Sequence, residues 1–411
     1  MNKMKLGDIL KIKHGYAFKG ENFSDEGEFI LLTPANFYES GGFKYTPGKE
    51  KYYLGDFPQE YLCKKGDLIV AMTQQAEGLL GSTAIVPEDN IYLHNQRIGL
   101  ITVDETKADK KFVDYLFRTK NVRFQIEGSS SGTKVKHTSP DKIYDVDVWL
   151  PDLDNQRKIG EILSTIDETI RKNNNINQEL EELAQTIYNY WFVQFEFPNE
   201  EGKPYKSNGG EMVWNDKMQR EIPTGWEIKN ILELVNWIGG AQPPKKEHTN
   251  EFREGYVRFI QNRDYQGDNH ITYIKESPSN KLCNKYDIMM DKYGEAGKVR
   301  YGIEGAYNVA LAKLELLEPE TQEYIRKFFE DNNTLEYLKN ASIASTRASL
   351  NSQTLGTLNI CLPKKELLIQ FENIGKNILD IILSNKEKNQ ELIKIRDFIF
   401  PLLMNGQAKL N

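Results

Sequence analysis

The chain has 411 residues, a length typical of two or three domains. Its net charge of −7 argues against a protein that binds nucleic acid unaided, because such proteins are usually basic. Hydrophobic residues make up 39% of the chain, which suffices for folded cores, and the 3 cysteines lie too far apart for a zinc site or a disulfide framework. No apolar run approaches membrane-spanning length, so we expect a cytoplasmic protein.

The first region, residues 1–151, alternates short strand-like runs with turn residues. One amphipathic helix is predicted near residues 110–126, and the alternating run DKIYDVDVWLP closes the region with a proline. A long helix is predicted within residues 152–192, and its central part, residues 154–191, would be about 55 Å long at 1.5 Å per residue. Residues 193–221 are rich in glycine, proline, asparagine and charge, and we interpret them as a linker.

The same order of elements recurs in residues 222–363, which again end in an alternating strand and a proline. A second long helix with a short tail is predicted for residues 364–411. The tetrapeptide NQEL lies in both helices, beginning at Asn177 and at Asn389, 212 residues apart (389 − 177). The pattern therefore predicts an internal repeat of two similar domains, each followed by a matching helix.

Both long helices carry apolar residues at alternating spacings of three and four, the heptad pattern of a coiled coil. An offset of 212 residues superimposes the two patterns, and each contains an asparagine, which is a device for fixing helix register. The predicted seam is Ile159, Ile166, Asn173, Leu180 and Ile187 with Phe371, Ile378, Asn385, Leu392 and Ile399. The intervening inward positions are Ile162, Thr169, Ile176, Leu183 and Tyr190 with Ile374, Ile381, Lys388, Ile395 and Leu402.

No set of residues typical of a catalytic or metal centre is evident. The segment YGEAGK, at residues 293–298, lacks the Gly-Lys-Ser/Thr of a phosphate-binding loop, and a turn between strands is the preferred interpretation. The 5 histidines have no metal-ligand spacing. We therefore expect the chain to catalyse no reaction itself.

Polar loops follow the matching strands GDLIVA and YDIMMD. Thr73, Gln74 and Gln75 in the first loop suit the edges of bases, since glutamine can pair bidentately with adenine. In the second loop, the residues suited to guanine or phosphate are Lys292, Tyr293, Lys298 and Arg300. An ordinary solvated hairpin loop is the alternative, and the recurrence of the loop at one topological position favours a DNA contact.

A second pair of loops is rich in serine and threonine. Residues 129–142 include Lys134, Lys136 and His137, and residues 340–353 include Arg347. Serine, threonine, lysine and arginine in a flexible loop commonly contact phosphates and bases. The alternative is an unremarkable linker before a strand.

The chain resembles the specificity (S) subunit of type I restriction-modification systems over nearly its whole length. IPTGWEIKNILELV, at residues 222–235, resembles the Pro-x-Gly-Trp opening of a recognition domain, and KKGDLIVAMT resembles the turn and strand in its middle. IYNYWFVQFEFPNEEGKPYKSNGGEMVWN is similar to the segment joining the first helix to the second domain, and LLMNGQAKL to the end of the second helix. Lys388 interrupts the apolar pattern, and the first region lacks the Pro-x-Gly-Trp opening.

The resemblance implies an α+β fold with two target recognition domains, residues 1–151 and 222–363, joined by two long antiparallel coiled-coil helices with pseudo-twofold symmetry. Each domain would recognise one half of a bipartite double-stranded DNA target, and the helices would set the spacing between the halves. The helices would also bind methyltransferase (M) subunits, and a restriction (R) subunit would complete the enzyme. Such partners would supply part of the electrostatic attraction to DNA, so the net negative charge of this chain is compatible with DNA binding.

The same resemblance places S-adenosylmethionine, ATP and magnesium on the partner subunits and no cofactor on this chain. Two alternatives stay open. One is a specificity subunit of a methylation-only or fused restriction system, and the other is a coiled-coil scaffold whose domains bind protein rather than DNA.

Overall fold

The computed structural model describes residues 1–74, 76–132, 135–268, 270–343 and 349–408. It divides into two compact units, one formed by Met1–Lys172 with Lys388–Asn411 and the other by Asn173–Glu387. The division falls inside both long helices, so each unit contains one strand-rich domain and part of each helix. No helix among the described residues is long and apolar enough to cross a membrane.

The first unit contains ten short strands and the start of a long helix. The strands are β1 (Asn2–Lys5), β2 (Leu10–His14), β3 (Phe23–Ser24), β4 (Phe29–Leu31), β5 (Tyr52–Tyr53), β6 (Leu68–Ala71), β7 (Thr83–Ile85), β8 (Tyr92–Leu93), β9 (Ile98–Val103) and β10 (Asp147–Leu150). The helices are α1 (Lys110–Arg118), α2 (Lys120–Ser129), α3 (Pro140–Tyr144) and the first part of α4 (Leu153–Tyr188). The sheets have the orders β2-β9-β6-β7 and β3-β5-β4-β8, and β1 pairs with β10.

Strand β6 lies at the centre of the first domain, and all four of its residues are buried. Because successive side chains of a strand point to opposite faces, it contributes to two cores. Leu68 and Val70 pack in a cluster with Phe112 of α1, whereas Ile69 and Ala71 belong to a second cluster under the other sheet. The loop that follows β6 therefore starts from a fully enclosed strand.

The second unit repeats this arrangement. Its strands are β11 (Met212–Asn215), β12 (Arg220–Pro223), β13 (Glu227–Asn230), β14 (Val235–Gly239), β15 (Tyr256–Ile260), β16 (Tyr273–Lys275), β17 (Leu282–Cys283), β18 (Ile288–Asp291), β19 (Val299–Arg300), β20 (Gly305–Tyr307), β21 (Leu311–Leu316) and β22 (Asn359–Leu362). Its helices are α5 (Gln322–Glu330), α6 (Asn332–Ile343), α7 (Ser352–Leu355), the end of α4 and the start of α8 (Lys365–Met404). The sheet order β14-β21-β18-β19 matches that of the first unit, and β13 pairs with β22 as β1 does with β10, which confirms the predicted repeat.

The helix predicted near residues 110–126 is in fact two helices that meet at Thr119. The Thr119 hydroxyl donates to the Leu116 carbonyl at 2.7 Å and accepts from the Val122 amide at 3.4 Å, so one side chain ends α1 and caps α2. The second unit has the same break between α5 and α6. The predicted linker, residues 193–221, also differs from expectation, because it contains β11 and the start of β12.

The long helices are antiparallel in the first unit. Arg396 of α8 donates to Asp167 of α4 at 2.9 Å, and Asn389 donates to the Ile170 carbonyl at 3.4 Å. Residue numbers fall along α8 as they rise along α4, as an antiparallel pair requires.

The helices run antiparallel in the second unit as well. The Asn385 amide donates to Asn177 at 2.9 Å, and further along α4 Ala184 packs with Ile378 and Ile382. Small and polar residues at these contacts allow the helix backbones to approach closely. One of the predicted seam asparagines therefore bonds to an asparagine on the other helix.

The ten predicted seam residues at seven-residue intervals are all buried or half-buried. Of the ten intervening positions predicted to face inward, four are half-buried and six are exposed, so the prediction was wrong for those six. Ile176, Leu183 and Ile381 are 45%, 49% and 48% exposed, and Tyr190 and Ile395 are exposed too. The residues buried instead lie one position later, including Asn177, Ala184 and Ile382. Each helix carries two apolar stripes, and the contact is made by the seam residues together with the residues one position after the exposed ones, which include an amide, a small side chain and an isoleucine.

In the first unit, a cluster of charged groups links α1, α4 and α8 through one carboxylate of α4. The Arg118 guanidinium donates to Asp114 at 2.5 Å and to Asp167 of α4 at 2.9 Å, and Asp167 also accepts from the Tyr115 hydroxyl at 2.7 Å and from Arg396 of α8 at 2.9 Å. Burial alone would raise the pKa of Asp167, but the two arginines outweigh burial and hold the pKa below its usual range. Asp167 is therefore a charged junction between the domain and the helix pair.

The second unit has a different charged cluster at the same place. The Arg326 side chain of α5 is 1% exposed, and it donates to the buried Glu323 and, at 3.2 Å, to Glu330. Its guanidinium lies 5.0 Å from the ring centre of Tyr301, whose hydroxyl donates to Glu181 of α4. Arg326 and Glu330 stand 212 positions after Asp114 and Arg118, so the order of charges is reversed between the two units.

The helices α1 and α5 are also capped differently. In the first unit, the Phe112 amide donates to Asp109, the residue just before α1, at 2.9 Å. In the second, the Glu323 amide donates at 2.8 Å to Glu372, which belongs to α8. Burial, together with repulsion from Glu323, raises the pKa of Glu372 to about 7.

Candidate nucleic-acid interface

The loop after β6 is closed by a hydrogen bond between its two ends. The Gly81 amide donates to the Ala71 carbonyl at 2.8 Å and so closes a loop of nine residues (72–80), in which Met72, Leu79 and Leu80 are buried. Gly81 has φ +75°, and a Cβ there would lie 2.8 Å from the Cδ1 of Ile126 in α2. Only glycine fits this conformation and this close packing without a shift.

The loop after β18 is closed in the same way. The Gly297 amide donates to the Asp291 carbonyl at 2.9 Å, its φ is +90°, and a Cβ there would lie 2.9 Å from the Cβ of Leu338. Leu338 stands 212 residues after Ile126, so both the hydrogen bond and the packing partner are repeated. The enclosed loops differ, because nine residues (72–80) lie inside the first closure and five (292–296) inside the second.

The structure brings together the two candidate loops of the first unit. The Gln74 amide donates to the Lys136 carbonyl at 2.9 Å, and the Thr73 hydroxyl lies 3.2 Å from Nδ1 of His137. Thr73 is 7% exposed, so its hydroxyl orients the histidine rather than standing free. Residues more than sixty positions apart thus form one surface, a juxtaposition that sequence patterns alone do not predict.

Two polar atoms at this surface are buried and have no hydrogen-bond partner within the described ranges. They are Oε1 of Gln74 and Oγ1 of Thr138. Buried polar groups are normally paired, and a hydrogen-bond donor from a ligand would reach these two oxygens only after the side chains shift to expose them. The exocyclic amino groups of adenine and cytosine are donors of this kind.

The second unit keeps the contact between its two loops but uses its candidate residues differently. The Leu350 amide donates to the Lys292 carbonyl at 3.1 Å, matching the bond from Thr138 to Met72 in the first unit. Tyr293 is 43% exposed, with Nζ of Lys292 5.8 Å from its ring centre. These two side chains are available to a ligand.

Arg300 and Lys298 lie at the base of the second loop and make ion pairs within it. The Arg300 side chain is 11% exposed and donates to Asp291 at 2.8 Å and to Glu295 at 2.7 Å. Lys298 also pairs with Glu295 at 2.7 Å, and this hydrogen bond holds the pKa of Glu295 below its usual range. We therefore reassign Arg300 from the predicted DNA contact to the support of the loop. The candidate residues Gln75, Lys134 and Arg347 lie outside the described residues.

Sequence analysis did not single out Arg123 of α2. Its guanidinium donates to four backbone carbonyls: Phe117 at 2.8 Å, Gly78 at 3.2 Å, Leu80 at 2.8 Å and Glu39 at 3.0 Å. Burial lowers the pKa of Arg123 to about 10, which leaves it charged at neutral pH. Carbonyl acceptors have no sequence signature, so an arginine on an amphipathic helix gave no sign of this role.

Comparison with known proteins identifies the family. Residues 1–182 and 223–395 each match the type I restriction modification DNA specificity domain, and the chain therefore belongs to this family. The resemblance identified from the sequence is confirmed: this is a DNA-binding specificity subunit of a type I restriction-modification complex.

Two relatives illustrate how far the sequence similarity extends. The chain is 24% identical over 314 residues to the MjaIX specificity subunit of Methanocaldococcus jannaschii, covering 73% of this chain and 69% of that protein. It is 26% identical over 338 residues to the HindI specificity subunit of Haemophilus influenzae, covering 69% and 73%. The fold resembles the crystal structure of the type I S subunit from M. genitalium, with a TM-score of 0.65 and 15% identity over 100% of this chain and 96% of that one.

Proposed function

We propose that each unit recognises one half of a bipartite DNA target through the loops closed by Gly81 and Gly297. One observation carries the proposal: the same closure, beside the same second loop, recurs in both units around loops of different length and composition. Two domains that recognise different DNA sequences need the same supporting backbone with different loop residues. Specificity would come from side chains that contact base edges, and most of the affinity from phosphate contacts shared with partner subunits.

The test uses one variant in each unit. The chain is expressed with its methyltransferase subunits in a host without other adenine methylation, and methylated adenines are mapped across the genome. Thr73→Ala with Gln74→Ala should relax the sequence requirement in one half of the motif only. Lys292→Ala with Tyr293→Ala should affect the other half only. Two variants that alter the same half, or that both leave the motif unchanged, would exclude these loops as the recognition elements.

We also propose that methyltransferase subunits bind the exposed apolar stripe of α4. In the second unit Ile176 and Leu183 of α4, and Tyr190 in the π-helical turn that follows it, recur every seven residues and are 45%, 49% and 40% exposed. An exposed stripe of this period fits the apolar face of a partner helix. S-adenosylmethionine, ATP and magnesium would then bind to the methyltransferase and restriction subunits. This chain would recognise the DNA sequence and catalyse no reaction.

Copurification tests the stripe. Leu183→Glu should abolish recovery of the methyltransferase subunits with the tagged chain, because it places a charge in an apolar contact. Gln178→Glu is the matched control, since it adds the same charge to an exposed position of the same helix outside the stripe. Equal recovery with both variants would rule out the stripe as the docking surface.

A further inference from the structure

Residues 37–45 of the first unit form a tight hairpin that sequence analysis did not connect with DNA. Phe37 and Phe43 pair across it, the Tyr38 amide donates to the Gly42 carbonyl at 3.1 Å, and the Lys44 amide donates to the Asn36 carbonyl at 2.8 Å. These bonds fix the hairpin backbone. Its position is therefore defined by the fold.

The exposed side chains of the hairpin include two tyrosines and a lysine, and Glu39 and Ser40 at its turn are exposed as well. Tyr38 and Tyr45 are 50% and 47% exposed, and Nζ of Lys44 lies 5.7 Å from the ring centre of Tyr38. The Tyr45 ring is supported from below by Phe43, at a centroid distance of 5.1 Å. Tyrosine hydroxyls and lysine ammonium groups are common ligands of the DNA backbone.

The hairpin is joined to the loop closed by Gly81. The Gly42 amide donates to the Thr83 carbonyl at 2.8 Å, and the Ser82 hydroxyl donates to the Tyr38 carbonyl at 2.6 Å. Arg123 completes the connection, because one guanidinium donates both to Glu39 in the hairpin and to Gly78 and Leu80 in the loop. The two segments are thus held in one orientation by the Arg123 guanidinium together with the bonds at Gly42 and Ser82.

The second unit has a leucine at the position equivalent to Arg123. The residue 212 positions later is Leu335, which packs against Gly297 with its Cδ1 3.4 Å from where a Cβ would stand. Apolar packing suffices for the loop of five residues. The loop of nine residues is bonded to its neighbour through the guanidinium instead.

We propose that the hairpin is a second DNA-contacting element of the first unit, in which Tyr38 and Lys44 bind the DNA backbone and Arg123 positions the hairpin against the recognition loop. The inference rests on the proposed function, since it takes DNA as the ligand. It adds a backbone-binding element beside the base-recognising loop and assigns a positioning role to a half-buried arginine that donates to four backbone carbonyls.

The first experiment measures binding of the assembled complex with methyltransferase subunits to a duplex carrying its target, across a series of salt concentrations. Lys44→Ala should weaken binding about fivefold near 0.15 M salt and lower the salt slope by about 0.9, the effect of losing one phosphate contact. Tyr38→Ala should weaken binding by a similar factor without changing the preferred sequence. Lys11→Ala is the matched control, because it removes the same charge from an exposed position on β2, and it should change neither quantity.

The second experiment tests positioning. Arg123→Leu, which installs the residue of the second unit, should lower discrimination against altered first half-sites about tenfold while discrimination at the second half-site is kept. Arg123→Lys should restore part of it, because it keeps the charge with fewer donors. A purely structural role would reduce the yield or stability of the complex and leave the ratio between half-sites unchanged, and that result would overturn the assignment.

The hairpin and the proposed function can fail separately. Unchanged affinity and salt slope in both Tyr38→Ala and Lys44→Ala would overturn the hairpin proposal. If the Thr73 and Gln74 variant still relaxes one half-site, the proposed function stands without the hairpin. If that variant is also without effect, the loop assignment falls too.

Discussion

The two units have the same backbone plan and opposite charges where the domain meets the long helices. In the first, Asp114 precedes Arg118 on α1, whereas in the second Arg326 precedes Glu330 on α5. Each arrangement is completed by groups from its own part of the helix pair. The repeated topology therefore does not make the domains interchangeable, because each junction is matched to its own helical surface.

The differences extend to the positions that complete each junction. The residue 212 positions after Asp167 is Leu379, which is fully buried, so an apolar side chain replaces the central carboxylate of the first unit. The second unit instead uses Tyr301 and Glu181. Divergence has preserved packing volume and hydrogen bonding while replacing the groups that provide them.

We expect the largest loss of stability when a partner is removed from the charged group that is most buried. Arg326→Met leaves the buried Glu323 without its main partner, so we expect the second unit to lose about 3–5 kcal/mol of stability. Arg118→Met should cost less, about 1–3 kcal/mol, because Asp167 keeps Arg396 and the site is more exposed. Hydrogen exchange under increasing urea measures each unit separately, and equal losses in both would contradict the comparison.

Loop closure gives a smaller effect. Gly297→Ala should destabilise its loop by about 2 kcal/mol, because φ +90° is strained for alanine and the nearest atom, Cβ of Leu338, cannot rotate away. Gly81→Ala should cost somewhat less, since it meets only the flexible end of Ile126. Gly48 has φ +73° and open space around it, so Gly48→Ala measures the cost of backbone strain without a packing clash. We expect this variant to lose about 1 kcal/mol of stability. Local hydrogen exchange compares the three, and equal values would show that packing plays no part.

The smallest effect is on the pH dependence of stability. The pKa of Glu372 rises from 4.5 to about 7 on folding, so between these values the folded chain binds more protons than the unfolded chain. Stability of the second unit should therefore fall as pH rises through this window. Glu372→Gln should stabilise it by about 1–2 kcal/mol at pH 8 and give no such gain at pH 4.

Asp167 makes the stability of the first unit depend on pH in the opposite direction. Its pKa is lowered on folding, so its contribution is present above the unfolded pKa and is lost as pH falls through the folded one. Asp167→Asn should therefore destabilise the first unit at neutral pH, and the difference should shrink in acid. Urea midpoints measured across pH for both variants would reveal the two signs, and parallel profiles would contradict them.

The sequence predicted the features that repeat and the features that follow from periodicity. The offset of NQEL revealed two matching helices, and Pro151 and Pro363 follow the strands β10 and β22 directly, as the alternating patterns predicted. The break at Thr119 was not predicted, because apolar spacing continues across it while one hydroxyl caps two helices. The exposed Ile176 was assigned inward for a related reason: hydrophobicity does not show which of two apolar stripes is covered.

The loops of the candidate site were proposed from the sequence, whereas the way they pack together was not. Loops after β6 and β18 were identified by recurrence, and the structure shows that each lies against the second candidate loop. The roles of Arg300 and Arg123 depend on acceptors that are distant in sequence or belong to the backbone, so composition could not distinguish a support from a contact.

The hydrogen bonds at Gly81 and Gly297 separate the supporting strands and helices from the loop residues between them. Because the hydrogen bond and the packed glycine fix both ends of each loop, exposed residues between them, such as Glu77 and Tyr293, can be exchanged without moving the strand or the helix behind. The nine-residue and five-residue loops are two natural outcomes of such exchange on one frame. New target sequences could then evolve by replacing a short cassette of codons, with no compensating change in the cores.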